Sequence, residues 1–175
     1  MTKQTEVTMS IEELENAPQW LLDAETENAD VEIIDGVVYW YNGIWKNGIW
    51  NDGVWIDGTW KRGIWKNGIW YGGTWYYGVW HNGTCHGGTW QDGVWHNGTW
   101  VNGVWKDGIW KNGIWKNGTW KGGTWKNGIW KNGVWYGGTW EFGSWENGIW
   151  EMGTWKDGCQ RIFQLVPSDK PPVNN

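Results

Sequence analysis

The chain has 175 residues, a net charge of −5, 24 tryptophans and 29 glycines but only two phenylalanines, and a composition this skewed indicates an internal repeat. The sequence shows no apolar run long enough to span a membrane and no N-terminal secretory signal, and its two cysteines are too few for a disulfide framework. We therefore expect one domain without a transmembrane segment.

The N-terminal segment is acidic and contains a helix-start pattern. Residues 1–40 carry ten acidic residues and one basic residue. Ser10 stands three residues before Glu13, an arrangement in which the two side chains cap the start of a helix reciprocally. The pattern predicts a short helix from Ile11 to about Asn16 that ends before Pro18.

A hairpin is predicted directly before the repeat begins. Two β-branched runs in residues 31–40 are joined by Asp35-Gly36, a strong signal for a two-residue turn. The apolar cluster Trp20-Leu21-Leu22 is well placed to pack on the first repeat. We interpret residues 1–40 as a cap, a short helix plus a hairpin, that covers the open end of a stack, because bare edge strands recruit other chains.

Residues 41–160 consist of five-residue repeats. Every fifth residue from Trp40 to Trp155 is tryptophan, except Cys85, and glycine stands two residues before each of these positions from Trp45 onward. The unit reads x-[N/D/G]-G-[I/V/T]-W. A strict short period of this length predicts stacked, near-identical units.

The unit predicts a corner rather than a tight hairpin. In a type I turn the Asn or Asp place keeps negative φ and only the following glycine adopts positive φ, whereas a type I′ turn needs positive φ at both. The Asn place is occupied by bulky residues in four units, which disfavours positive φ there. These residues are Arg62, Tyr77, Phe142 and Met152.

Short strands with a corner every five residues are typical of a β-solenoid, and in this respect the chain resembles the pentapeptide-repeat proteins. The resemblance rests on period and on the two-residue alternation of Gly48 with Trp50. It implies an all-β, right-handed, four-sided solenoid of about 20 residues per turn, with glycine and tryptophan inward and about six turns. The run from Gly48 to Gly53 (G-x-W-x-x-G) is also similar to MORN repeats, although their longer period is absent.

The tryptophans are predicted to form the core. The residue before each tryptophan is Thr or Ser in ten of 23 units, and turning tryptophan outward would bury those hydroxyls. The alternative is a row of exposed indoles that bind sugars or bases. The core is represented by Trp45, Trp50, Trp55, Trp60, Trp105, Trp110, Trp115 and Trp120.

With tryptophan inward, the β-branched residues face outward and form the candidate interaction face. Four-sided winding would align one column of apolar residues, which predicts a contact surface for a protein partner or for self-assembly. The isoleucines of this column are Ile49, Ile69, Ile109, Ile129 and Ile149, and Thr89 stands between Ile69 and Ile109. A second column, from Thr59 through Thr139, would be rich in threonine, although Val79 interrupts it.

No catalytic constellation or phosphate loop is present, so we expect neither an enzyme nor a cofactor. His81, Cys85, His86 and His96 are potential metal ligands, but an inward cysteine and exposed histidines would not meet on one ion, and no metal site is predicted. Six lysines recur at five-residue spacing from Lys106 to Lys131 and would be spread over all sides, which argues against a nucleic-acid site.

These features predict a non-enzymatic, rigid repeat scaffold or protein-interaction module. The layout of cap and repeat is similar to uncharacterised repeat proteins of bacteriophages, which implies a virion-associated or tail-associated component. The alternative function is a carbohydrate-binding adhesin that uses tryptophan platforms. An ice-binding rod would need an unbroken threonine array, which Ile and Val interrupt. Residues 161–175 are predicted to form a closing strand and a flexible tail.

Overall fold

The computed structural model describes residues 11–156, which form an all-β parallel solenoid behind a small N-terminal cap. Ser10 of the predicted helix start and the predicted closing strand and tail at 161–175 lie outside the described residues.

The cap contains two short helical turns. A 3₁₀ helix spans Ile11–Glu13, and an α-helix, α1, spans Gln19–Leu22. The predicted helix is therefore shorter than expected, because Asn16 adopts φ +60° and ends any helical run. Sequence reasoning missed α1. Pro18 directly precedes its first residue, a place where the missing N–H of proline costs nothing.

The predicted hairpin is present and longer than expected. Strand β1 (Glu25–Ile34) pairs antiparallel with β2 (Val37–Asn47). Asp35 and Gly36 join them with φ values of +51° and +79°, as a type I′ turn requires. Because β1 pairs with β2 as far as Asn47 and the Trp20 ring of α1 packs 5.1 Å from the Trp50 ring, the cap lies over the start of the solenoid.

The solenoid has three sides, each built from strands that pair in parallel with the strand three repeat units away. Side 1 comprises Tyr39-Trp40 of β2, Val54–Trp55, Ile69–Trp70, Thr84–Cys85, Thr99–Trp100, Ile114–Trp115, Ile129–Trp130 and Ser144–Trp145. Side 2 comprises Ile44-Trp45 of β2, Thr59–Trp60, Thr74–Trp75, Thr89–Trp90, Val104–Trp105, Thr119–Trp120, Val134–Trp135 and Ile149–Trp150. Side 3 comprises Ile49–Trp50, Ile64–Trp65, Val79–Trp80, Val94–Trp95, Ile109–Trp110, Thr124–Trp125, Thr139–Trp140 and Thr154–Trp155.

The prediction of a four-sided tube is wrong. Three units of five residues make one turn, so the rod has about eight turns and a length of about 38 Å instead of six turns and about 30 Å. The size of tryptophan explains the difference. Trp55, Trp60 and Trp65 meet edge to face, with neighbouring ring centroids 6.0 Å apart. Three indoles fill the lumen, and a fourth side would open a void at the centre.

The corners have the predicted φ pattern. The glycines two residues before each tryptophan position, from Gly43 to Gly153, have φ between +95° and +134°. Among the described residues, no Asn or Asp place of the repeat has positive φ, which rules out the type I′ alternative. Glycine is needed for a reason that the sequence did not indicate: a Cβ there would point along the rod at the backbone of the glycine one turn earlier.

Two sets of interactions hold successive turns together. Each turn donates backbone hydrogen bonds to the turn before it, such as Ile64 N to Gly48 O at 2.9 Å and Lys66 N to Trp50 O at 2.8 Å. Inside, each indole stacks on the indole three repeat units away; the Trp60 and Trp75 centroids, for example, are 4.7 Å apart with planes 5° from parallel. The eight representative core tryptophans named above are fully buried.

Most core indoles are held by ring stacking and not by hydrogen bonds of their N–H groups. Four indole N–H groups donate to a carbonyl 17 residues ahead at 3.0–3.1 Å, those of Trp70, Trp120, Trp125 and Trp130. Sixteen other buried indole nitrogens in the described part of the chain have no hydrogen-bond partner. Because an unpaired N–H is costly to bury, the ring contacts must supply most of the stability of the core.

The indole stack of side 1 is interrupted at one place. Cys85 stands between Trp70 and Trp100, is 3% exposed, and its thiol lies 3.4 Å from the carbonyl oxygen of Gly87. A small cavity of about 10 Å³ remains beside it, and its wall is made mainly of tryptophan rings. Burial in this apolar environment raises the pKa of the Cys85 thiol, so it stays protonated and unreactive at neutral pH.

Candidate interaction surface

The five isoleucines of the predicted interaction face do not share one side. Ile49 and Ile109 lie on side 3, Ile69 and Ile129 on side 1, and Ile149 on side 2. The predicted column assumed four units per turn, whereas pairing in the structure follows three units per turn. The threonine-rich column from Thr59 to Thr139 is dispersed for the same reason.

A continuous apolar surface is instead formed by side 3. Five consecutive turns present a β-branched apolar residue in register, a set that we call the side 3 stripe: Ile49, Ile64, Val79, Val94 and Ile109. Ile49 is 42% and Ile109 is 36% exposed, and the other three are partly exposed. The stripe is about 19 Å long, since successive strands are about 4.8 Å apart.

The other two sides lack such a stripe. In the same five turns side 2 presents Ile44, three threonines and then Val104, and side 1 begins at Tyr39 and changes to threonine at Thr84 and Thr99. Reading the sequence in steps of three units instead of four would have found the side 3 stripe. The signal that favours three is the ring size of tryptophan, which limits each layer of the core to three side chains.

The side 3 stripe has a polar rim. The corners before Ile64, Val79 and Val94 carry Arg62, Tyr77 and Asp92, respectively. The corners after the side 3 strands carry a column of lysine and histidine side chains. Tyr77 is 57% exposed. An apolar centre with aromatic, arginine and charged residues at its edge is the composition of protein–protein interfaces.

The column after side 3 places four nitrogen-bearing side chains in register: Lys66, His81, His96 and Lys111. The His81 and His96 rings stack with centroids 4.8 Å apart, and Lys111 Nζ lies 3.4 Å from His96 Nε2. Partial burial, the Lys111 ammonium and His81 together lower the pKa of His96 from its ordinary value of 6.5. Protonation of His96 would place a positive charge beside the Lys111 ammonium.

Acid should therefore weaken the fold at this column. The unfolded chain protonates His96 more readily than the folded chain, so the free energy of unfolding falls as the pH drops below about 6.5. We expect His96→Gln to remove this part of the pH dependence, an effect below about 1 kcal/mol because the site is largely solvated. Urea unfolding between pH 8 and pH 5.5 measures it, and a His86→Gln variant is the matched control. Equal pH slopes in the wild type and His96→Gln would contradict it.

The histidine and cysteine cluster is not brought together. His81 and His96 lie on the corner after side 3, His86 stacks on Tyr71 at 4.8 Å on the corner after side 1, and Cys85 lies in the core. Within the described residues no group of three potential metal ligands is close enough to hold an ion.

The lysines from Lys106 to Lys131 form two rings of three around the rod, one lysine at each corner of two successive turns. Two corner lysines form ion pairs with glutamates one turn away: Lys156 Nζ lies 2.8 Å from Glu141, and Lys131 Nζ lies 3.9 Å from Glu146. These pairs are solvated and add little stability. They show that corner side chains in successive turns are direct neighbours.

None of the helices in residues 11–156 is long and apolar enough to cross a membrane. A scan of protein-family models found no match to this chain, and searches of curated proteins and of solved structures found no similar protein either.

Proposed function

We propose that the protein is a non-enzymatic, rigid repeat module that contacts another protein through the side 3 stripe. The observation that carries this proposal is the register of five β-branched apolar residues over five turns, bordered by polar and aromatic side chains. The other sides of the same turns offer no equivalent surface, so the proposal commits to side 3.

The rod suits a scaffold role because it is stiff. Its turns are joined by continuous backbone hydrogen bonding, and the indole stack beneath the side 3 stripe is unbroken from Trp50 to Trp110, so the stripe keeps one shape before and after binding. A preformed surface loses little conformational entropy on association. The setting that we propose, a virion or tail component, and the right-handed winding both rest on resemblance alone.

The repeat tryptophans do not support the adhesin alternative. The indoles of the described turns lie inside the tube, with partial exposure only at Trp145 and Trp155 near its end. They therefore do not present rows of platforms to a sugar or a base.

The first test is self-association, because a second copy is the simplest protein partner. We expect sedimentation velocity to show concentration-dependent oligomers. Placing carboxylates in the stripe with Val79→Glu and Val94→Glu should weaken association by ~100-fold or more, since each charge would be desolvated in the contact. Thr74→Glu and Thr89→Glu, in the same two turns on side 2, are the matched controls.

Association that is equally weakened by both pairs of substitutions would contradict the assignment to side 3. A wild-type chain that stays monomeric at every concentration would exclude self-assembly and leave only a different protein as partner. Circular dichroism melts of all variants separate lost association from lost folding.

A further inference from the structure

A groove runs along the rod between the cap and side 1. Its volume is about 690 Å³, within the usual range for ligand sites. The cap end is walled by Pro18 and Trp20 and by the start of β2 at Val37 and Val38. From there the groove passes over the side 1 strands of successive turns as far as Thr99.

One wall of the groove is a ladder of amides. Asn67 Nδ2 donates to Asp52 Oδ1 at 3.3 Å, and Asn82 Nδ2 donates to Asn67 Oδ1 at 3.3 Å. Each amide nitrogen carries two hydrogens, and the ladder uses one of them. A donor and an acceptor lone pair per asparagine therefore remain for a ligand, repeated once per turn at a spacing of about 4.8 Å.

The floor of the groove changes character along its length. Val54 and Ile69 lie nearest the cap, and Thr84 and Thr99 follow in the next turns. Trp20, which is half-buried, adds an aromatic ring at the cap end. One extended ligand could therefore contact apolar side chains at the cap end, hydroxyls in the next turns and amides along one wall.

The lining is almost uncharged. Asp52 is the one acidic residue among the groove's lining residues, and its Oδ1 already accepts hydrogen bonds from Gly53 N and Asn67 Nδ2. Without lysine or arginine, the groove has no attraction for phosphate or sulfate. The ligand that fits is a neutral one.

An extended peptide fits less well than a sugar chain. Peptides that add to a sheet need free backbone groups, but the strands under the groove use theirs between turns, as in Ile69 N to Gly53 O at 2.9 Å and Thr84 N to Gly68 O at 3.0 Å. Side chains alone must therefore bind the ligand, and amides and hydroxyls pair readily with ligand hydroxyls.

From these features we infer that the groove binds a short, linear, uncharged oligosaccharide, with the amide ladder bonding to its hydroxyls and Val54, Ile69 and Trp20 covering its C–H surface. The site is separate from the side 3 stripe and involves no tryptophan of the repeat. It does not depend on the proposed scaffold role.

The test uses the full chain and three neutral probes, cellohexaose, chitohexaose and maltohexaose, in titration calorimetry supported by saturation-transfer NMR. We expect at least one hexaose to bind saturably. Asn67→Leu combined with Asn82→Leu should weaken that binding by at least ~10-fold, because it removes the free donors and acceptors. Asn112→Leu combined with Asn127→Leu changes the same corner column beyond the groove and should leave binding unchanged.

Three results would overturn the inference: no saturable binding of any hexaose by either method, equal weakening by both pairs of substitutions, or binding of an uncharged extended peptide in place of the sugars. Val79→Glu combined with Val94→Glu should leave hexaose affinity unchanged, so failure of the sugar site and failure of the side 3 contact are distinguishable. Thermal melts of both asparagine pairs show whether either change affects folding.

Discussion

Replacing Gly108 with valine should lower the free energy of unfolding by about 4–6 kcal/mol, or prevent folding. Gly108 has φ +116°, where a β-branched residue is strongly disfavoured. A Cβ at this position would also lie 2.5 Å from the carbonyl oxygen and 2.9 Å from the nitrogen of Gly93 in the preceding turn. Relief requires the two turns to separate.

Separation of these turns would break the contacts that join them. Ile109 N donates to Gly93 O at 2.9 Å, and Lys111 N donates to Trp95 O at 2.7 Å across the same junction. Turns of a repeat protein are stabilised mainly by their nearest neighbours, so one broken junction weakens the turns on both sides. Thermal melts followed by circular dichroism should show a midpoint about 10–20 °C below the wild type.

Gly72 supplies the matched control. It occupies the Asn place of its unit, has no positive φ, and a Cβ there would meet only Ile56 O at an ordinary distance of 3.5 Å. Gly72→Ala should raise stability slightly, by less than about 1 kcal/mol, because the unfolded chain loses freedom. Similar midpoints for Gly108→Val and Gly72→Ala would refute the account of the corners given above.

Replacing Cys85 with tryptophan should increase the free energy of unfolding by about 2–4 kcal/mol, the reverse of removing a large core side chain. The turns beside the gap keep their register and spacing: Cys85 pairs with Trp70 and with Trp100, and in the adjacent stacks Trp75 lies 4.6 Å from Trp90 and Trp80 lies 4.6 Å from Trp95. The turns have therefore not collapsed into the gap, and a new indole would stack between Trp70 and Trp100 at the usual distance.

The opposite substitution tests the same idea in an intact stack. Trp110 is fully buried and stacks on Trp95 at 4.8 Å and on Trp125 at 4.9 Å, so Trp110→Cys should cost about 3–5 kcal/mol. Urea unfolding of both variants measures the two effects. Loss of stability in Cys85→Trp would mean that the gap has closed around the thiol and no longer admits a ring.

The local structure was accessible from the sequence because local chemistry decides it. Asp35-Gly36 predicts a type I′ turn, and the bulky residues at Arg62 and Tyr77 exclude positive φ at the Asn place. Both inferences depend on backbone sterics within a few residues. The structure agrees with both.

The number of sides was not accessible in the same way, because it depends on how side chains from distant units fill one layer. A resemblance to solenoids with smaller core residues favoured four sides, whereas indoles such as Trp55, Trp60 and Trp65 fill a layer in threes. Because the number of sides was wrong, every predicted alignment of outward-facing residues was wrong too, including that of the isoleucines of the predicted face. The groove beside Trp20 was equally inaccessible, since it requires the cap and side 1 to be placed together.

Because three repeat units make one turn, the length of the rod changes in fixed steps of one turn. Adding or removing a whole turn lengthens or shortens the rod by about 4.8 Å, while every later side chain stays on the same side of the solenoid. Adding or removing one pentapeptide would instead rotate everything downstream by a third of a circle, carrying the apolar stripe onto a neighbouring flank. Changes of length in this molecule are therefore of two kinds: those that leave every later residue on its side of the solenoid, and those that move it to another side.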